Sequence, residues 1–309
     1  MPLFAYEMHE MAHLAWAPAR AVSDVARTWL EHPGNPLAYT AAGRNLAASA
    51  KIFERLTRRY EKPAFDLATT AVDGQIVPIV ERVAWERPFC KLLHFEKQLD
   101  GAPEPRQRLL IVAPMSGHHA TLLRGTVEAF LPFYDIYITD WVDARTIALS
   151  SGRFDLDDYI DYLIAICETL SKEDDGATVH AIGVCQPAVP LIAAIALMEA
   201  RDSPHVPASM TLMGGPIDTR RSPTRVNLLA RERGSAWFAR NCICSVPFGY
   251  PGAGRDVYPG FLQLTGFMAM NIDRHIIANL EFFDHLVADD GDSARKHSEF
   301  YDEYRSVMD

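Results

Sequence analysis

Apolar and polar positions along the chain fall into three textures. Residues 1–64 read as helical. A first helix carries Phe4, Met8, Met11, Leu14 and Trp16, a stripe expected to pack on the main domain rather than enter a membrane. Asn35 before Pro36 signals a helix cap; Leu46, Ile52, Phe53 and Leu56 mark the apolar face that follows, and Pro63 stops it.

From Phe65 the period changes. ATTAVDGQIVPIVERVAWERP reads as β-rich segments around an Asp73-Gly74 turn, and FCKLLHFEK as a further strand. Strands then alternate with helices. RLLIVAP, DIYITDW, TVHAIGV and ASMTLMGGP are apolar strands; HATLLRGTVEAFLP, LDDYIDYLIAICETL and PLIAAIALMEA are the helices between them. Such β-α-β order predicts an α/β fold, a mostly parallel sheet with helices on both faces, over 65–216. Residues 217–309 leave the alternation. They combine helical stretches with the Gly-, Pro- and aromatic-rich VPFGYPGAGRDVYPGFLQLTGF, and read as a cap or lid region after the sixth core strand.

Composition narrows the function classes. The 309 residues are 49% hydrophobic and 23% charged, as in globular proteins, and carry a net charge of −10. Without a basic run, nucleic acid and anionic membranes are not expected partners. No apolar stretch has the length of a membrane span; the longest candidate, Val189 to Met198, contains Pro190. Glu7 and Glu10 stand where a signal peptide carries basic residues. The five cysteines are therefore expected as reduced thiols in a cytoplasm. Cys90 and Cys167 sit in core-like patterns, and Cys242 and Cys244 lack the spacing of a zinc site. No metal and no cofactor is expected, and no phosphate-binding glycine loop is present.

Cys185 differs in setting. In HAIGVCQPAVP an apolar strand meets Gly183, then the cysteine, then two prolines and an apolar helix. A nucleophile between strand and helix, flanked by small residues, is the elbow of α/β-hydrolases. The turn lifts the side chain above the sheet toward a helix N-terminus, where an anion is favoured. Pro187 and Pro190 fall in the first helical turn, where the missing N–H has no helical partner. That leaves the Gln186 N–H free for an oxyanion hole. The pentapeptide alone also fits a buried cysteine acting as a small hydrophobe; its position after the third strand of the alternating run favours the elbow. The second oxyanion donor is expected from the loop after the first of those strands, APMSGHHATLLRG, at Ser116. His118 and His119 in that loop read as hydrogen-bonding residues rather than as the catalytic base.

GVCQPAVP, APMSGHHATLLRGTV, TDWVDAR and MGGPIDTRRSPTRVN together resemble the intracellular poly(3-hydroxybutyrate) depolymerases of bacteria, and the similarity covers nearly the whole chain. The resemblance implies an α/β-hydrolase fold with Cys185 as nucleophile. It also implies a polyhydroxyalkanoate substrate, in storage granules of the cytoplasm or as 3-hydroxybutyrate oligomers. Coenzyme A is a candidate acyl acceptor beside water. In that family the catalytic Asp and His follow later strands, and no position here matches them. The expectation is a chain lacking about 60 to 100 residues at its C-terminal end and inactive or weakly active without them. Asp218 with His275, His285 or His297 are the substitutes within the chain, each reading first as a surface residue. Two other readings stand. A polyester synthase also uses a cysteine but would want Gly in place of Pro187; a granule-binding homologue would have lost catalysis.

Overall fold

The computed structural model describes residues 5–99, 106–172 and 177–309. Its centre is a seven-stranded sheet in the order β1-β2-β3-β5-β4-β6-β7. Strands β1 (Thr69–Val72) and β2 (Gln75–Arg87) form a hairpin through Asp73-Gly74, and β3 (Cys90–Lys97) pairs antiparallel with both β2 and β5. Strands β4 (Arg108–Val112), β5 (Asp135–Trp141), β6 (Val179–Val184) and β7 (Ser209–Met213) are mutually parallel. Since β2 is antiparallel to β3, and β3 to β5, β2 joins those four, and five of the seven strands run one way.

Both faces of the sheet are covered, which is why β4 and β5 read as unbroken apolar runs. Leu110 and Val112 point into a cluster with α5 (Leu156–Ser171) and α6 (Ala188–Ala200). Leu109 and Ile111 point the other way, toward Val127 of α4 (Arg124–Phe130) and Leu131. Asp155 caps α5 with a reciprocal capping box to Asp158. Helix α6 is preceded by Pro187 at its cap, and its small residues Ala188 and Ala194 lie fully buried against the sheet.

Counted without the short edge strand β1, β7 is the sixth strand of the sheet. Beyond it lie α7 (Arg225–Arg233), α8 (Ser235–Asn241), the two-stranded β8 (Cys244–Ser245) and β9 (Asp256–Val257), and α9 (Gly260–Met270), α10 (Ile272–Val287) and α11 (Gly291–Arg305). Arg255 ties this region to the core. It is 8% exposed, pairs with no carboxylate among the described residues, and donates to the carbonyls of Ile147, Ala148 and Gly152 at 2.8–3.2 Å.

The N-terminal helices differ from expectation. Met8, Met11, Leu14 and Trp16 of α1 (Ala5–Ala15) and its flank are half or more exposed, and Phe4 lies outside the described residues. Tyr6 is the buried residue instead, packed with Cys244, Val246 and Val257. Asn35 caps a short 3₁₀ turn, Pro36–Tyr39, and Thr40 caps the helix that follows, α3 (Ala41–Thr57). The buried face of α3 is Ala47, Ala48 and Arg55, while Leu46 and Leu56 are exposed. Both departures have one cause. These helices pack on β8, α10 and α2 (Ala17–Glu31) rather than on the sheet, and small side chains permit the close approach of α2 and α3. Among the described residues no helix is long and apolar enough to cross a membrane.

Candidate active site

Cys185 occupies the turn between β6 and α6 with φ 65°, in the left-handed region. Among the described residues five other non-glycine residues share positive φ, and they are four aspartates and a serine, Asp66, Asp73, Asp202, Asp289 and Ser222. Short polar side chains relieve that conformation through local hydrogen bonds; a cysteine has no such relief, so its strain is held by its surroundings. Cys185 N–H donates to the Met213 carbonyl at 2.7 Å, and its own carbonyl accepts from Ala188 N–H at 3.1 Å. A Cβ on Gly183 would stand 3.0 Å from Leu191 Cδ2 and 3.4 Å from Ala188 N. A Cβ on Gly215 would overlap the Ala188 side chain and lie 2.7 Å from the Cys185 carbonyl oxygen. The elbow therefore needs two glycines, and the second comes from the end of the neighbouring strand β7.

The thiol is exposed, whereas Cys90, Cys167 and Cys244 are buried. Pro187 and Pro190 sit at the cap and in the first turn of α6, where they consume no donor. Neither the Gln186 nor the Ser116 backbone N–H has a partner among the described residues.

The loop that carries Ser116 follows β4 and is fixed from several sides. Thr139 Oγ1 accepts from Ala113 N–H at 2.9 Å, and Trp141 Nε1 donates to the Ala113 carbonyl at 2.9 Å. The Gln186 side chain accepts from Met115 N–H at 3.2 Å, linking loop and elbow directly. Gly117, at φ 76°, packs on Gln263 and accepts at its carbonyl from Met308 N–H at 3.2 Å. Met115 and Ser116 open on a cavity of about 740 Å³ whose apolar walls include Phe89, Leu149, Phe154 and Tyr258. Cys185 lines neither this cavity nor a larger one beside it.

The histidines take structural positions. His118 is buried beside Phe267 and Tyr304, with ring centroids 5.4 and 5.1 Å away. Burial lowers its pKa against the opposing effect of backbone hydrogen bonds to Tyr304 and Ser116. His119 is pulled down to about 4, first by burial and then by Lys62, so its imidazole is neutral at pH 7. Asp218 is half-buried and engaged by Arg220, Nε to Oδ1 at 2.8 Å. His275 lies 3.2 Å from the Tyr301 hydroxyl, His285 lies 3.4 Å from Asp290, and His297 stacks between Phe282 and Tyr301. None of these residues hydrogen-bonds Cys185 among the described residues.

Two features of this site escape the sequence reading. Gly215 is visible there only as half of a Gly-Gly pair ending a strand. The Lys62–Asp140 ion pair joins the end of the N-terminal segment to the end of β5, and no local pattern signals it.

Residues 214–309 match the family model described as “PHB de-polymerase C-terminus”. No curated protein matches the chain. Among solved structures, similarity extends to an α/β-hydrolase enzyme from the metagenome of Lake Arreo, Spain, at 12% identity and TM-score 0.30, covering 65% of this chain and 60% of that one. It extends also to brefeldin A esterase, a bacterial homologue of human hormone-sensitive lipase, at 17% identity and TM-score 0.33, covering 63% and 55%. A third is the hyperthermophilic esterase of the archaeon Pyrobaculum calidifontis, at 11% identity and TM-score 0.32, covering 72% and 69%. The chain thus spans about three fifths of the first of these proteins. The match to the family model begins at Gly214, directly after β7.

Proposed function

We propose that the chain carries the nucleophile and oxyanion site of an intracellular polyester depolymerase acting on poly(3-hydroxyalkanoate) through a cysteine. The observation that carries this reading is the strained, exposed Cys185 at φ 65°, between a β-strand and a helix, with the adjoining Gln186 backbone N–H unpartnered among the described residues. Strain of this kind is kept where the surroundings over-determine it, and it clusters at active sites.

In this reading Cys185 Sγ attacks the ester carbonyl. The Gln186 and Ser116 N–H groups stabilise the oxyanion, and the alcohol end of the polymer leaves with a proton. The product is a 3-hydroxyacyl thioester on the enzyme, cleaved by water or by a thiol such as coenzyme A. Preorganised donors of this type contribute about 3–4 kcal/mol each to the transition state. The substrate assignment rests on the family of residues 214–309 and on the sequence motifs.

The test is turnover of short 3-hydroxybutyrate oligomers by the protein and by Cys185→Ala. The variant is expected to lose all turnover above background; turnover near the parent rate removes Cys185 from the mechanism. Cys185→Ser is expected to lose most activity, because a hydroxyl needs far more help from a base than a thiol.

A further inference from the structure

The loop after β4 is held at both ends. At its root, both polar groups of Ala113 are taken by side chains of β5: its N–H by Thr139 Oγ1 and its carbonyl by Trp141 Nε1, each at 2.9 Å. At its far end the ties run to the cap region. Gly117 meets Gln263 and the Met308 N–H, and His118 bonds the Tyr304 backbone. Between these ends Pro114 has no N–H to give. The Met115 N–H reaches the elbow, where the Gln186 side chain accepts it at 3.2 Å. An N–H can only donate, so the amide oxygen of Gln186 is the atom that faces it. Among the described residues this is the one hydrogen bond between loop and elbow.

We propose that the side chain of Gln186 is a positioning group: it sets how far the oxyanion donor of the Ser116 loop stands from the elbow's own donor, the Gln186 N–H. The inference rests on the catalytic reading of Cys185. An oxyanion hole stabilises charge only when its donors converge on one point within hydrogen-bond distance. Here one donor stands on the elbow and the other on a loop tied to the cap. A side chain that starts at the first and bonds the residue next to the second couples the two. Without it the loop answers only to β5 and the cap, and a displacement of about 1 Å is enough to cost a rate factor of about 10². Thr139 and Trp141 do not replace it, because they hold the root of the loop rather than its tip.

The experiment compares two reactions of the same thiol in the full chain, read by peptide mapping so that Cys185 is resolved from the half-buried Cys242. With 4-nitrophenyl butyrate, Cys185 Sγ bonds the ester carbonyl carbon, the C–O bond to 4-nitrophenolate breaks, and the thiol proton passes to solvent; an oxyanion forms on the way. With iodoacetamide, Sγ bonds the methylene carbon, iodide leaves, and no oxyanion forms. Gln186→Met keeps the backbone N–H and the side-chain length but lacks the acceptor. It is expected to lower acylation of Cys185 by about tenfold or more, with alkylation at the parental rate and faster hydrogen exchange of the Met115 amide. Gln186→Glu retains an acceptor and is expected to keep that amide protected. Unchanged or faster acylation in Gln186→Met, or parental exchange of the Met115 amide, overturns the proposal while Cys185 keeps its role. An equal fall in both reactions places the effect on the thiol and overturns it too. A parent chain alkylated but never acylated at Cys185 overturns the catalytic reading, and with it the role of Gln186.

Discussion

At Cys185 a residue with no conformational licence for φ 65° is held there by three neighbours: the Met213 carbonyl, Gly183 and Gly215. The cost of such a backbone is about 1–2 kcal/mol. Cys185→Gly is therefore expected to raise the stability of the chain by about 1 kcal/mol in denaturant unfolding while abolishing ester turnover. An unchanged or lowered stability would show that the turn is not strained. Gly215→Ala works in the opposite sense, since its methyl has to enter the Ala188 side chain. A loss of about 1–3 kcal/mol, with activity falling further than stability, is the expected result. The two glycines were unequally legible. Gly183 precedes Cys185 within one short motif, whereas Gly215 meets the elbow only because β7 lies parallel to β6, a long-range fact that local sequence does not carry.

The elements most legible in the sequence were those buried on both faces. Strands β4, β5 and β6 appear as continuous apolar runs because the sheet leaves them little solvent side, and helix α5 appears as a periodic one because only its Asp157 and Asp161 side meets solvent. The N-terminal helices were less legible. Met8 and Leu14 look like a packing stripe, yet Tyr6 makes the contact, because the partner is the cap region and its position depends on residues more than two hundred positions away. Within that region Arg255 is the main tie to the loop after β5. Arg255→Leu would leave the Ile147 and Gly152 carbonyls without this donor, while Ala148 still accepts from the Ser151 N–H, and release the β8–β9 segment, a loss of about 2 kcal/mol or more. Limited proteolysis is expected to cut the variant faster between Val246 and Arg255. Parental proteolysis kinetics would mean that the cap holds without this contact.

Among the described residues burial lowers the pKa of five histidines, His9, His13, His118, His119 and His297, and two of them fall furthest. His119 and His297 both fall to about 4 from the ordinary 6.5. Between those values the unfolded chain binds protons that the folded chain excludes, so stability rises with pH in that window and is lost as pH falls from about 6.5 toward 4. Chemical denaturation at a series of pH values checks this. His297→Phe keeps the stack between Phe282 and Tyr301 and is expected to flatten the slope; an identical slope would exclude His297 as its source. The central claim, however, is covalent: an acyl group passes through Cys185. The most direct measurement is intact mass and peptide mapping after acid quench of the chain with a 3-hydroxybutyrate oligomer. The account predicts a single added 3-hydroxybutyryl group on the peptide containing Cys185, absent from Cys185→Ala. Turnover with no adduct at Cys185, or an adduct on another residue, would contradict it.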